Sequence, residues 1–414
     1  MEAYHTWLNS LVNTNRDKFR EYHELKWLNS FNADKYQEIR DKYIQELSEN
    51  SLFKNTKPYH YQISRGCKLC GMGVWSCLFI TGKCNAKCFY CPTSQTTDDV
   101  PTTQSLSFPT AEAYAEYINY FGFKGVSFSG GEPLLYFDRT LQYLKQIRKK
   151  CNPDIYVWMY TNGILADQQK FRKLAKAGLN EIRFDIGATG FTLDKVKLAK
   201  DIIPIITIEI PAVPEEVVKL KKLLPEIVKL GVNNLNLHQL RLTEYNARQL
   251  IKRKYTFIHA EQPIVLESEL AALEIITFAK EHNINLGINY CSFHFKNRFQ
   301  KAGFRKMVNN KLAGPEEIIS SKGYIQEFNN DSIAYKTISL RDTTLNSNNY
   351  SELKLDHKTY FLSKETVLKK IELDSQAKSH VNSLLLKEPD EIPSDPLLFN
   401  IWQCEYIEKG LREY

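Results

Sequence analysis

Three cysteines fall within the eight residues Cys84-Asn85-Ala86-Lys87-Cys88-Phe89-Tyr90-Cys91, in the spacing C-x3-C-x2-C. Thiolates are the usual ligands of iron–sulfur clusters, and a protein normally supplies four of them. Three close thiolates with no fourth nearby suit a cubane cluster with one iron left open. That iron can take a small ligand that chelates through an amine and a carboxylate. The same residues have a rival reading. Cys67-x2-Cys70 and Cys88-x2-Cys91 are separated by seventeen residues, which fits a zinc ribbon, a non-enzymatic module that binds nucleic acid. The ribbon leaves Cys77 and Cys84 unexplained and predicts nothing further along the chain.

About forty residues after the cysteines stands Ser129-Gly130-Gly131-Glu132-Pro133, whose glycines let a backbone approach a ligand closely. The two segments together, with Tyr90 before the last cysteine, resemble the radical S-adenosylmethionine superfamily. The resemblance implies a [4Fe-4S] cluster on Cys84, Cys88 and Cys91, with S-adenosylmethionine on the open iron. It places Ser129, Gly130, Gly131 and Glu132 near the methionine amino group. It also implies a low-potential electron donor such as flavodoxin or ferredoxin. The reaction would cleave the cofactor reductively and abstract hydrogen from an unidentified peptide, metabolite or RNA. Asn289-Tyr290-Cys291-Ser292 with Phe295-Lys296, the run Asn236 to Gln239 and the early cysteines resemble a branch related to the pyruvate formate-lyase activating enzyme. That resemblance covers roughly residues 60–305. The ferredoxin-like cysteine insert of several glycyl-radical activators is missing, so their activity is not carried over.

Other residues invite two readings each. Asn162, in Thr161-Asn162-Gly163, either faces the cofactor or makes an ordinary turn. Asp185 is costly to bury unpaired in Ile182-Arg183-Phe184-Asp185-Ile186. It binds ribose or substrate, or it pairs with Arg183 or another cation. Glu209 sits in a similar apolar run and is a candidate nucleoside contact. His238 is either a satisfied structural histidine or a group that orients substrate. Cys67, Cys70 and Cys77 could hold zinc or a second cluster, with Cys291, Cys404, a histidine or an exogenous molecule as a fourth ligand. Cys77 fits the apolar core equally well. From Cys291 to Lys311 there are six Lys or Arg and no Asp or Glu, interleaved with Phe293, Phe295, Phe299 and Phe304. Arg248, Lys252, Arg253 and Lys254 add to this charge. Such a pattern is either a footprint for RNA or a phosphorylated substrate, or a solvated helix face whose phenylalanines enter the core.

These residues must be positioned by elements whose rhythm is readable. From Val74, short apolar runs (74–81, 125–129, 155–160, 181–186, 205–210 and 234–240) alternate with amphipathic helical patterns. Such alternation gives a parallel sheet covered by helices, with chemistry at the C-terminal strand ends. The fold class is therefore α/β, and the six strand–helix units match what the resemblance implies: a partial (βα)6 TIM-like barrel, with an N-terminal helical segment and a C-terminal extension. A helix over 267–281 and an apolar stretch over 284–290 could extend it. The expected division is an N-terminal helical segment over 1–58, the barrel over 59–300 and the extension over 301–414. In the first of these Trp7, Leu11, Tyr36, Ile39 and Tyr43 could form buried stripes. In the last, a polar loop over 343–350, helices within 364–387 and a terminal stretch that docks through Trp402 and Tyr406 are expected. The 414 residues carry 43% hydrophobic and 25% charged residues and a net charge of +7, an ordinary globular composition. No uncharged apolar run approaches the ~18 residues of a membrane span, and Met1 to Ser10 lacks a signal-peptide core. Six of nine cysteines crowd into residues 67–91. In the expected cytoplasmic setting that favours metal over disulfides.

Overall fold

Seven short segments pair side by side in chain order and all in parallel: β1 (Trp75–Thr81), β2 (Gly125–Gly130), β3 (Tyr156–Thr161), β4 (Glu181–Phe184), β5 (Ile205–Pro211), β6 (Asn234–His238) and β7 (Gly287–Cys291). The computed structural model describes residues 2–28, 34–97, 99–329, 331–344 and 350–406. Helices α1 (Ala111–Phe121), α2 (Phe137–Lys150), α3 (Gln168–Lys176), α4 (Asp194–Lys197), α5 (Val217–Lys229) and α6 (Leu266–Glu281) connect successive strands. The barrel stays open. Lys57–His60 caps β7 and Thr102–Thr103 caps β1, both antiparallel. The apolar stretch before Cys291 is thus a seventh strand, beyond the six that alternation required. Among the described residues no helix is long and apolar enough to cross a membrane.

Side chains alternate across a strand, and here the two faces differ in kind. Leu78, Val126, Phe128, Val157, Ile206, Ile208, Leu235 and Leu237 point outward and join the helices in the largest apolar core. The inward set is polar: Ser127, Glu181, Arg183, Thr207, Glu209, Asn234, Asn236 and Asn289, together with Trp158. A lumen so lined must satisfy itself, because buried charges are costly without partners.

Arg183 does this. Its Nε donates to Glu181 (2.9 Å) and one terminal nitrogen donates to Glu209 (2.7 Å). The other terminal nitrogen reaches Ser64 Oγ (3.2 Å), and the guanidinium stacks over Trp158 at 4.9 Å. Glu181 also accepts from Tyr156 and Thr207. The helix Arg65–Gly71 closes the N-terminal end of this lumen. A Cβ at Gly66 would stand 2.3 Å from the Arg183 guanidinium, so only glycine lets the helix approach.

The flanking segments depart from the sequence reading in places. Helices do form at Glu2–Lys18 and Asp34–Glu46. The first buries Leu8 and Val12, while Trp7 and Leu11 are half-buried. Ile39 is exposed rather than part of a stripe, and Tyr36 and Tyr43 are half-buried. Residues 364–372 are not helical. They belong to the strand Lys358–Glu372, which pairs with Ser332–Arg341 in a five-stranded antiparallel sheet, and only Ser375–Leu386 is helix. The long pairing partner overrides the helix-forming lysines and glutamates of that run. The helix Pro396–Glu405 docks through Phe399 onto Tyr4 and Trp7, with Trp402 and Tyr406 packed in the C-terminal core. Residues 345–349 of the expected polar loop and 407–414 of the terminal stretch lie outside the described residues.

Replacing Arg183 by Met would leave Glu181 and Glu209 buried without their cation. Breaking such a pair from one side costs about 3–5 kcal/mol. We expect a large fall in the urea midpoint of Arg183→Met, partly restored by adding Glu181→Gln. A midpoint equal to that of the parent would show that the network contributes no net stability.

Candidate active site

The loop after β1 carries the three closely spaced cysteines over the C-terminal end of the sheet. Cys84, Cys88 and Cys91 all line one cavity of about 700 Å³. The loop is pinned by local bonds: Cys84 N–H donates to Gln95 O (3.1 Å) and Cys91 N–H to Cys88 O (3.1 Å). Among the described residues no three His, Cys, Asp or Glu side chains converge closely enough to hold a single metal ion. Three thiols spread around one cavity wall instead suit a larger group held at its corners. Burial pushes the Cys88 thiol up to about 12 in the free protein. A group that needs the thiolate must therefore supply the compensating positive charge itself.

The end of β2 lies against this loop. Gly131 N–H donates to Thr81 O (2.7 Å) and Glu132 N–H to Lys83 O (2.9 Å). A Cβ on Gly131 would stand 1.9 Å from Lys83 O, and Gly130 has φ of +113°. Both positions demand glycine. Ser129, Gly130 and Gly131 face the cavity. Glu132 does not line it: this buried carboxylate accepts from Asn162 N–H (2.7 Å), Thr161 Oγ1 (2.8 Å) and Leu134 N–H (2.9 Å). It clamps the ends of β2 and β3 together. Asn162 is thereby presented to the cluster loop, donating to Asn85 Oδ1 (2.8 Å) and towards Cys84 Sγ (3.6 Å).

Asp185 follows β4 and takes none of the cations proposed for it. It accepts from Tyr90 Oη at 2.8 and 3.0 Å and from Gly187 N–H. Burial pushes its carboxyl up to about 6 despite these bonds. Tyr90 and Asp185 both line the cavity. Arg183 lines the lumen end of the same cavity, turned to Glu181 and Glu209. Glu209 stands between the two regions: it binds Arg183 below, accepts from Asn236 (2.8 Å) and meets His238 Nε2 at 2.5 Å. Burial alone would raise the Glu209 carboxyl, but Arg183 and His238 outweigh it and hold it well below the usual range. Lys296 Nζ lies 3.1 Å from His238 Nδ1. A lysine donating there leaves the His238 proton on Nε2, facing Glu209.

Lys296, read from the sequence as part of a basic run and of the Phe295-Lys296 pair, opens a π-helical turn, Lys296–Lys301. Lys296, Asn297, Gln300 and Lys301 of this turn reach the cavity together. Such turns often mark functional sites, but nothing in residue composition announces one. The rest of the basic segment is dispersed. Arg298 pairs with Glu388, Arg305 stacks on Tyr324 and Lys311 on Tyr120. Phe295 is buried, and Phe304 packs on Phe123. Arg253 pairs with Glu215 and covers Phe89. Lys301, Lys306 and Lys311 stay exposed, while Arg298 and Arg253 are committed to ion pairs.

The early cysteines require a correction too. Cys67 and Cys70 sit on the helix that closes the lumen, with Cys291 and the fully buried Lys57. Lys57 Nζ donates to Cys291 Sγ (2.9 Å), and Gln300 Nε2 donates to Cys70 Sγ (2.8 Å). Cys77 is held elsewhere, by Ser127 and Ser129 on β2. The two C-x2-C pairs of a zinc ribbon do not meet, and Cys77 does not join Cys67 and Cys70. Burial lowers the pKa of Lys57, but the thiols of Cys291, Cys67 and Cys70 outweigh it and raise it.

Comparison with known proteins agrees with the geometry. The profile of the Radical SAM superfamily matches residues 78–197. A Methanocaldococcus jannaschii protein given the provisional name of a glycyl-radical enzyme activating enzyme is 30% identical over 281 residues, 64% of this chain and 72% of the relative. A GTP 3′,8-cyclase of Chlorobaculum tepidum is 32% identical over 119 residues, 28% of this chain and 33% of the cyclase. The chain thus spans only a third of that relative. Among solved structures, Streptococcus suis SuiB bound to precursor peptide SuiA aligns with a TM-score of 0.40 and 13% identity. That alignment covers 61% of this chain and 58% of SuiB.

With their sulfur atoms engaged by Lys57 and Gln300, Cys291 and Cys70 are poorly placed to bind metal. A Cys84/Cys88/Cys91 triple alanine variant is expected to carry neither iron nor zinc by elemental analysis. Metal that persists there and is lost on further replacement of Cys67 and Cys70 would establish a second site.

Proposed function

Since the chain belongs to the radical S-adenosylmethionine superfamily and is an enzyme of that class, we propose that its cavity cleaves S-adenosylmethionine reductively and abstracts hydrogen from a substrate held beside it. The family's cofactors are a [4Fe-4S] cluster and S-adenosylmethionine. When bound, the pair supplies one-electron cleavage of a carbon–sulfur bond and removal of a hydrogen atom. The observation that carries this reading is the convergence of Cys84, Cys88, Cys91, the Gly130–Gly131 backbone and Asp185 on one cavity. A low-potential donor of the flavodoxin or ferredoxin type would provide the electron.

The chain's own groups then have distinct tasks. Cys84, Cys88 and Cys91 hold the cluster, and the Asn162 amide supports Cys84. Gly130 and Gly131 leave bare backbone for the methionine end. Tyr90 fixes Asp185 so that its remaining lone pairs can accept ribose hydroxyls. Glu209, held ionised by Arg183, orients His238 towards the rest of the cavity. At about 700 Å³ the space is in the range of small-ligand sites. The reacting part of the substrate is accordingly a small molecule, or one side chain of a larger one.

Anaerobically reconstituted and reduced enzyme should release 5′-deoxyadenosine, detected by mass spectrometry. Cys88→Ala should abolish that release; normal cleavage by this variant would sink the assignment. Asp185→Asn should weaken S-adenosylmethionine binding by about tenfold, the scale of one hydrogen bond to a charged group. An unchanged dissociation constant would remove Asp185 from the ribose site.

A further inference from the structure

The contacts assigned above use one side of the cavity and leave another unexplained. Arg241, just beyond β6, and Lys296 both line the cavity beside Phe293. The guanidinium lies 5.6 Å and the ammonium 4.6 Å from that ring. Among the described residues neither makes an ion pair, in contrast to Arg183, Arg253 and Arg298. Among the described residues the Lys296 ammonium has one polar partner, His238 Nδ1. Burial pulls the pKa of Lys296 down, and Arg241 adds to that effect. Of the acids around the cavity, Glu209 is neutralised by Arg183, Asp185 is turned to Tyr90, and Glu261 sits at the exposed rim.

Two half-desolvated cations set against one aromatic ring are unfavourable unless an anion joins them. Lys296 also opens a π-helical turn, a local irregularity of the kind that often marks a functional site. We propose that Arg241 and Lys296 form an oxyanion subsite that holds a carboxylate or phosphate group of the substrate, with Phe293 as its apolar floor. This rests on the reading of the cavity as the S-adenosylmethionine site. Arg241 is close enough to Cys91 to feel its charge, so the cofactor's own carboxylate is the competing source of the same chemistry. The substrate is favoured because Lys296 stands against His238 rather than against a cluster cysteine.

The test uses reconstituted enzyme saturated with S-adenosylmethionine, titrated without oxygen by calorimetry at fixed ionic strength. The probes are sodium phosphate and sodium succinate, with glycerol as a neutral control. One or both anions should bind the parent enzyme and glycerol should not. Lys296→Gln and Arg241→Gln should each weaken anion binding about tenfold or more, whereas Lys296→Arg should retain most of it. The dissociation constant for S-adenosylmethionine, measured separately, should stay within about twofold. Equal anion binding by parent and glutamine variants, or none by the parent, overturns the subsite. A parallel loss of S-adenosylmethionine affinity assigns the cations to the cofactor's carboxylate and also overturns it. Failure of the parent to release 5′-deoxyadenosine would instead remove the functional reading beneath it.

Discussion

The Arg183 guanidinium sits in the middle of the barrel with two carboxylates, Glu181 and Glu209, on neighbouring strands. Parallel barrels are usually filled by layers of branched apolar side chains. Here the lumen is filled by charge and amide instead, and its charged groups are paired within their own strand or across to the next. Glu181 pairs across β4 and β5 to Thr207, Glu209 across β5 and β6 to Asn236, and Asn236 across β6 and β7 to Asn289. The parallel register sets Glu209 opposite Asn236, and Asn236 opposite Asn289. Strand pairing and lumen chemistry are therefore the same constraint, and shifting any strand by one residue would unpair the whole set.

That constraint reaches the cavity through two carboxylates with different tasks. Glu209 carries it upward to His238 and Lys296. Glu132 works sideways, tying the end of β2 to the first peptide after β3. Its bonds to Asn162 and Thr161 explain why a glutamate follows the two glycines even though it never faces the cavity. The glycines permit close approach, and the glutamate fixes what approaches. Mobility at the strand ends would spread the three thiols relative to the backbone that faces them, so the buried clamp is part of the site's precision.

The barrel was legible because period-two alternation and helical spacing act over short distances. All six expected strands fall within a residue or two of their observed limits, and the stretch before Cys291 proved to be a seventh. The cluster loop and the glycine segment were legible because their chemistry admits few alternative residues. Other features depend on distant parts of the chain. The strand Lys358–Glu372 has helix-forming residues, and only its pairing with Ser332–Arg341 makes it extended. Lys57 gave no signal, since its role needs Cys291, more than two hundred residues away. Spacing grouped Cys77 with Cys67 and Cys70, whereas alternation on β1 turns it towards Ser127 and Ser129.

The segment from Cys291 to Lys311 shows most clearly how geometry divides what composition unites. Read as a string, its lysines, arginines and phenylalanines make one basic, aromatic surface. Folded, Phe295 enters the core, Arg298 and Arg305 spend their charge on Glu388 and Tyr324, and only the π-helical turn faces inward. Lys296, Asn297, Gln300 and Lys301 share one face of the turn and line the cavity, while Phe295 is buried. Positive charge near the reacting centre is thus a product of backbone register, and net charge along the sequence is a poor guide to it.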